Sequence, residues 1–215
     1  MAILRVTTWN VLHRVHAVNW KEPEVEAFPD ERARIAGITE RVAAWLGAEA
    51  DVVCLQEVSG DQLASLREAV SGSADVFEHR YPRVPKRRDG GAAELVDPTE
   101  HLVVLVASRG AHVVSARTFD TDPGKGFLAV EIARGVAVIG THVTYGARGG
   151  DQIALLAETA RACGGVAAIA GDWNASADAV RAGLGEGFVV TSLEGQRATR
   201  SATADSPAQT IDHVA

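Results

Sequence analysis

Five short apolar or β-rich runs each lead into a residue that does chemistry. Ile3 to Thr8 leads into Trp9-Asn10, Asp51 to Leu55 into Gln56-Glu57, and residues 136–143 carry His142 near their end. Val166 to Ala170 leads into Gly171-Asp172-Trp173-Asn174, and the last run, 209–214, carries Asp212. The longest runs hold about six to eight apolar residues against the ~20 that a bilayer demands, so they are strands of a globular core. Strand ends along one sheet edge are close in space even when far apart in sequence. The pattern therefore predicts one site of carboxylates, amides and an imidazole on a rigid support.

Between these runs, Asp30 caps a helix from Glu31 to Leu46, with Ile35, Ile38, Val42 and Leu46 on one stripe ahead of Gly47. Residues 61–70, 151–163 and 176–183 read as further helices, and 102–107, 112–117, 127–133 and 188–193 as further strands. Residues 11–29 read as a polar loop. Residues 80–101 read as a long surface loop or strand, in which Arg80, Arg83, Lys86, Arg87 and Arg88 precede Gly90-Gly91. Hairpin-like strand pairs mixed with helix-separated strands exclude pure parallel alternation. The expectation is an α+β fold, two packed sheets with helices on the outer faces, in one domain spanning 1–215.

Charge and cysteine usage narrow the class. Lys and Arg number 21 against 28 Asp and Glu, a net −7, which excludes a wholly basic polyphosphate-binding surface but not a local basic patch. Two cysteines make neither a disulfide framework nor a zinc cluster, and Cys54 within Val52-Val53-Cys54-Leu55 reads as a buried thiol. The first ten residues lack the basic start and long apolar centre of a signal peptide. A soluble, cytoplasmic protein without a membrane span is expected.

One glutamate, one or two aspartates and two asparagines supply hard oxygen donors, which suit Mg²⁺, Mn²⁺ or Ca²⁺ rather than zinc. A carboxylate beside such an ion can activate water, and a histidine can meet developing negative charge. These are the parts for hydrolysing a phosphate ester.

Thr8-Trp9-Asn10-Val11, Leu55-Gln56-Glu57-Val58, Gly140-Thr141-His142-Val143, Gly171-Asp172-Trp173-Asn174 and Thr210-Ile211-Asp212-His213-Val214 resemble, in order, the motifs of the endonuclease/exonuclease/phosphatase superfamily, the deoxyribonuclease-I-like fold. The resemblance implies a four-layer α/β/β/α sandwich with a divalent-metal site, Mg²⁺ or Mn²⁺, at one end. It makes Glu57 the main metal ligand, helped by Asn10, and Asp172 the group that orients or deprotonates water. Asn174 would hold a phosphate oxygen and position the water, and His142 would bond the scissile phosphate or assist the leaving group. Asp212 matches an acid that pairs with histidine in a closing Ser-Asp-His-type motif. That closing motif is missing: the chain stops at Ala215, and His213 should face away from Asp212 because strand neighbours point to opposite faces. The chain is thus expected to be a fragment that omits its last C-terminal strand, with supply of that strand by another polypeptide as the alternative. Where many nuclease members carry an acid or amide two positions after the asparagine, Leu12 stands, followed by His13.

Other polar residues carry two readings. His13, His16 and Trp20 read as a solvated loop before they read as substrate contacts. The basic run from Arg80 to Arg88 is either a solvated loop or an attractor of phosphate backbone. Arg148, with Gln152 near the His142 loop, is a candidate to reach a substrate phosphate. The leading functional expectation is a metal-dependent phosphodiesterase acting on a phosphate ester, with nucleic acid or a nucleotide among the candidates. The alternative is a catalytically impaired relative serving as a binding or scaffold module.

Overall fold

A computed structural model of the chain describes residues 3–191, 199 and 208–215. The first sheet contains β1 (Val6–Asn10), β2 (Val52–Ser59), β3 (Asp75–Arg80) and β4 (Glu100–Val106) in the order β1-β2-β4-β3. The second contains β5 (His112–Phe119), β6 (Asp122–Ala133), β7 (Val136–His142), β8 (Val166–Asp172) and β9 (Asp212–Val214) in sequence order. Both sheets are mixed: β1 with β2 and β7 with β8 are parallel, the remaining pairs antiparallel.

Three packed interfaces make the four layers. Val53, Leu55, Val58, Val103 and Leu105 face α3 (Glu31–Trp45) and α4 (Gly60–Ala69), meeting Ile38, Val42, Leu63 and Leu66. Val52, Cys54, Val104 and Val106 face the second sheet through Leu128, Val130, Val138 and Ala170. Ala129, Ile139, Ile169 and Trp173 then face α5 (Gly149–Ala162) and α6 (Ala177–Leu184), against Ile153, Leu156, Val180 and Leu184. The strand β2 reads as a continuous apolar run because both its faces are covered, all eight residues being buried. Among the described residues no helix is long and apolar enough to cross a membrane.

The Asp30 cap holds as expected, its carboxylate accepting from the Arg32 and Ala33 N–H groups, and α3 buries Ile35, Ile38 and Val42. Residues 11–29 depart from the expected loop and fold as α1 (Arg14–Trp20) and α2 (Glu24–Ala27). The His13 ring caps α1 by accepting from the Val15 N–H, and buried Arg14 holds the Phe28 and Pro29 carbonyls and the Glu94 carboxylate. The strand β3 also went unforeseen. In contrast, 188–191 form no strand beyond a bridge from Thr191 to Val214, and 192–193 lie outside the described residues. That bridge lies beside β9, which pairs with β8 from Ala170↔Val214 to Asp172↔Asp212.

Candidate functional site

Strand register gathers the chemistry at one end of the sandwich. In the second sheet His142 pairs with Asp172, Asp172 with Asp212, and Gly126, next to Lys125, with His142. In the first sheet Asn10 pairs with Gln56, one residue before Glu57. Backbone departures then aim the side chains. Between Leu55↔Val103 and Val58↔His101, Gln56 and Glu57 stand opposite the single residue Leu102, a β-bulge. Glu57 there adopts φ +58°, and Asn174 and Leu12 are left-handed too, at +47° and +59°. Such conformations are costly for residues other than glycine, less so for asparagine, and their concentration here marks a site whose geometry overrides local preference.

The Asn10 amide ties the two sheets together. Its Nδ2 donates to Glu57 Oε1 at 3.1 Å and to Asp172 Oδ2 at 2.9 Å, while its Oδ1 accepts the Leu12 N–H at 2.9 Å. Glu57 Oε2 accepts the His13 N–H at 3.1 Å, and Asp172 Oδ1 accepts the Asn174 N–H at 3.0 Å. His142 Nε2 lies 3.5 Å from Asp172 Oδ2 and 3.9 Å from Glu57 Oε1. The Asn174 side chain donates to the Val143 carbonyl at 2.9 Å and braces the loop after His142. The structure thus brings together Asn10, Glu57, His142, Asp172 and Asn174, with Asp212 beside Asp172. Asp212 and His213 do diverge: the His213 ring bonds the Ala175 carbonyl at 3.0 Å.

Arg148 is not drawn into this cluster. It is exposed, and its guanidinium donates to the Thr121 carbonyl at 3.3 Å. Gln152 is buried and structural, accepting from the Thr144 N–H and donating to Thr121 and Thr144. The solvated-loop expectation for His13 and His16 is overturned, because α1 carries them inward: His13 is buried, and His16 Nε2 lies 3.1 Å from Glu100 Oε2. Lys125 is the functional candidate that sequence reasoning missed. Its ammonium donates to the His142 ring, at 3.1 Å from Nδ1 and closer to Nε2.

Charge and burial fix the protonation of the group. Burial, then the Lys125 charge, holds the His142 imidazole well below its ordinary value, so it is neutral. Burial works to raise the Glu57 carboxyl, but the charges of His16 and Lys125 and the Asn10 amide outweigh it and hold Glu57 below the usual carboxylate range. Burial and the Glu57 charge push Asp172 up despite Lys125. Asp212 rises to about 8 through burial, then through the charges of Asp172 and Glu57. One Asp212 oxygen is buried without a hydrogen-bond partner among the described residues. Carboxylates crowded until they resist ionisation, with one buried oxygen unsatisfied, suit a small hard cation. Among the described residues no three His, Cys, Asp or Glu side chains close on one point, as a structural zinc site requires. Magnesium needs only one or two carboxylates plus water and substrate oxygens. Asn10, as oriented here, presents its amide nitrogen to the carboxylates, so ligation through its oxygen would give up the Leu12 bond.

Fold and rim define a sandwich protein with an acid–imidazole site built across both of its sheets. Residues 7–214 match the Endonuclease/Exonuclease/phosphatase family, and the chain belongs to it. Three solved structures are similar. TDP2 of D. rerio complexed with single strand DNA product matches with a TM-score of 0.62 and 14% identity, over 98% of this chain and 82% of that one. The human Nocturnin catalytic domain with bound sulfate anion gives 0.60 and 18% over 98% and 81%. ANGEL2, a 2′,3′-cyclic phosphatase, gives 0.56 and 17% over 80% and 53%. At these identities the likeness shows the fold. No curated protein matches the chain.

Proposed function

We propose that the protein is a Mg²⁺- or Mn²⁺-dependent phosphodiesterase. The observation that carries this reading is the Asn10 amide bound between Glu57 and Asp172, with the Lys125–His142 pair alongside. Glu57 is the residue to hold the ion, with Asn10 beside it. When bound, the ion polarises a phosphate oxygen and stabilises the leaving oxygen. Asp172 accepts hydrogen bonds from Asn10 and the Asn174 N–H, which fix its carboxylate for orienting and deprotonating a water in line with the phosphorus. Neutral His142 bonds a phosphate oxygen or assists the leaving group, and Lys125 adds a positive charge for the phosphate. Asn174 spends one amide hydrogen on Val143 and keeps the second for a phosphate oxygen. Asp212 completes the acidic wall beside Asp172. Exposed Arg148 is placed to meet only an outlying part of a substrate.

Nucleic acid or a nucleotide is the substrate class we favour, because the similar TDP2 structure carries a single strand DNA product. The two unpaired cysteines, Cys54 buried, support a cytoplasmic setting. The test is hydrolysis of bis(p-nitrophenyl) phosphate with Mg²⁺ or Mn²⁺. Asp172→Ala and Glu57→Ala should each lower the rate about a hundredfold or more while circular dichroism stays that of the wild type. An unchanged rate in either variant removes that residue from the mechanism, and an inactive wild type favours the binding-module alternative.

A further inference from the structure

Two surface features that catalysis leaves unused meet in one place. His13, His16 and Trp20 are spaced i, i+3 and i+7, so they share one stripe along α1. At its inner end the His13 N–H holds Glu57 and the His16 ring holds Glu100. Trp20 lies one helical turn past His16, about 6 Å further out along the axis, and is 55% exposed. The basic run arrives at the same point. Asn19 grips it twice, donating through Nδ2 to the Lys86 carbonyl at 2.9 Å and accepting the Arg88 N–H at 2.9 Å. The Arg88 guanidinium lies 4.2 Å from the centre of the Trp20 ring. Lys86 and Arg88 are exposed and form no ion pair with the described residues, whereas Arg87 is taken by Asp89.

The outer end of α1 thus presents an exposed indole backed by a guanidinium, with a second unneutralised cation adjacent, on a chain of net charge −7. Its chemistry is that of a stacking platform with phosphate contacts. Lipid headgroups and inositol phosphates offer phosphate but no flat π-face, and in a duplex the bases are already stacked. We infer that the outer end of α1 and the Lys86–Arg88 segment form a subsite for single-stranded nucleic acid, stacking an unpaired base on Trp20 and meeting a neighbouring phosphate with Arg88 and Lys86. This rests on the phosphodiesterase reading only for the placement of the scissile phosphate beside Glu57 and Asp172.

Binding is measured in EDTA, where turnover stops, by fluorescence anisotropy of a short labelled oligothymidylate. Trp20→Ala and the Lys86→Ala/Arg88→Ala pair should each raise Kd about 5- to 100-fold. Trp20→Phe should restore most of the affinity, and the double variant should flatten the salt dependence. The oligonucleotide should quench indole fluorescence in the wild type more than in Trp20→Ala. Hydrolysis of bis(p-nitrophenyl) phosphate, which has no second phosphate and no nucleobase for this surface to hold, should stay within about twofold of wild type in these variants. Equal affinity in Trp20→Ala, equal or tighter binding of a duplex of the same length, or binding of phosphatidylserine vesicles in place of the oligonucleotide each overturns the subsite. Trp20-dependent binding by a wild type that cannot hydrolyse the small diester upholds the subsite and sinks the catalytic reading. Sound hydrolysis with no Trp20 effect does the reverse.

Discussion

Replacing Asp212 by asparagine should make the metal-free protein more stable in alkali. Asp212 lies across the strand pair from Asp172, and burial, followed by the charges of Asp172 and Glu57, brings its carboxyl to about 8 from an ordinary value near 3.8. The folded state therefore holds this proton more tightly than the unfolded chain does. The associated stability is complete below about pH 4 and is lost as pH rises through about 8. Four pH units correspond to a ceiling of about 6 kcal/mol. Asp212 keeps partial contact with solvent, and its titration is tied to that of the neighbouring raised Asp172, so about 2 to 4 kcal/mol is the working expectation. Urea unfolding in EDTA from pH 5 to 9 measures it. His142 contributes in the opposite sense, since its depressed imidazole lets the unfolded chain bind an extra proton below about pH 6.5, which lowers stability there. That contribution is common to both proteins, so their difference isolates the acidic cluster. Asp212→Asn should gain on the wild type steadily between pH 5 and 8.5. Parallel profiles would refute the crowding argument.

The remaining predictions concern the neighbours of this cluster. Lys125→Met removes a positive charge 3.1 Å from the His142 ring, worth about 1 kcal/mol at the dielectric of water and about 5 at an effective value of ~20. The His142 imidazole should therefore titrate at least about one pH unit higher by NMR, and an unmoved titration would exclude Lys125 as the cause of its neutrality. Gly171→Ala drives a methyl group into the Thr141 carbonyl of β7, a backbone atom that cannot step aside, and should destabilise by about 2 to 4 kcal/mol in urea unfolding. Retained stability would mean that β7 and β8 are less closely held than this spacing implies.

The parts legible in the sequence were those whose signals are local. Asp30 with its apolar stripe gave a helix that ends at Trp45, one residue short of the expected Leu46, and the strands carrying Asn10, Glu57, His142 and Asp172 announced themselves by short apolar runs before polar residues, although β2 runs on past Glu57 to Ser59. The helix α1 lacked such a signal, because only Val15 and Ala17 among its inward residues are apolar, and beside them it buries His13 and Arg14, residues that ordinarily face water. The strand β3 was obscured by Glu78, His79 and Arg80, whose partners come from distant segments, such as His101 for Glu78. A lone lysine before Gly126 carries no mark of function; only the pairing of Gly126 with His142 brings Lys125 to the rim. The bulge at Glu57 is equally invisible, since it depends on what β4 sets opposite.

Asn10 and Glu57 belong to one hydrogen-bonded sheet, and Lys125, His142, Asp172 and Asp212 to the other. Among the described residues no backbone ladder joins these two groups, so apart from the Asn10 amide the spacing of the rim side chains is inherited from the residues sandwiched in the middle. Chief among them are Cys54 and Val104, which settle onto the bare Cα of Gly140. Under the phosphodiesterase reading, turnover should therefore act as a gauge of that hidden seam: a methylene added or removed many ångströms from the rim would lower the rate before it unfolded the protein.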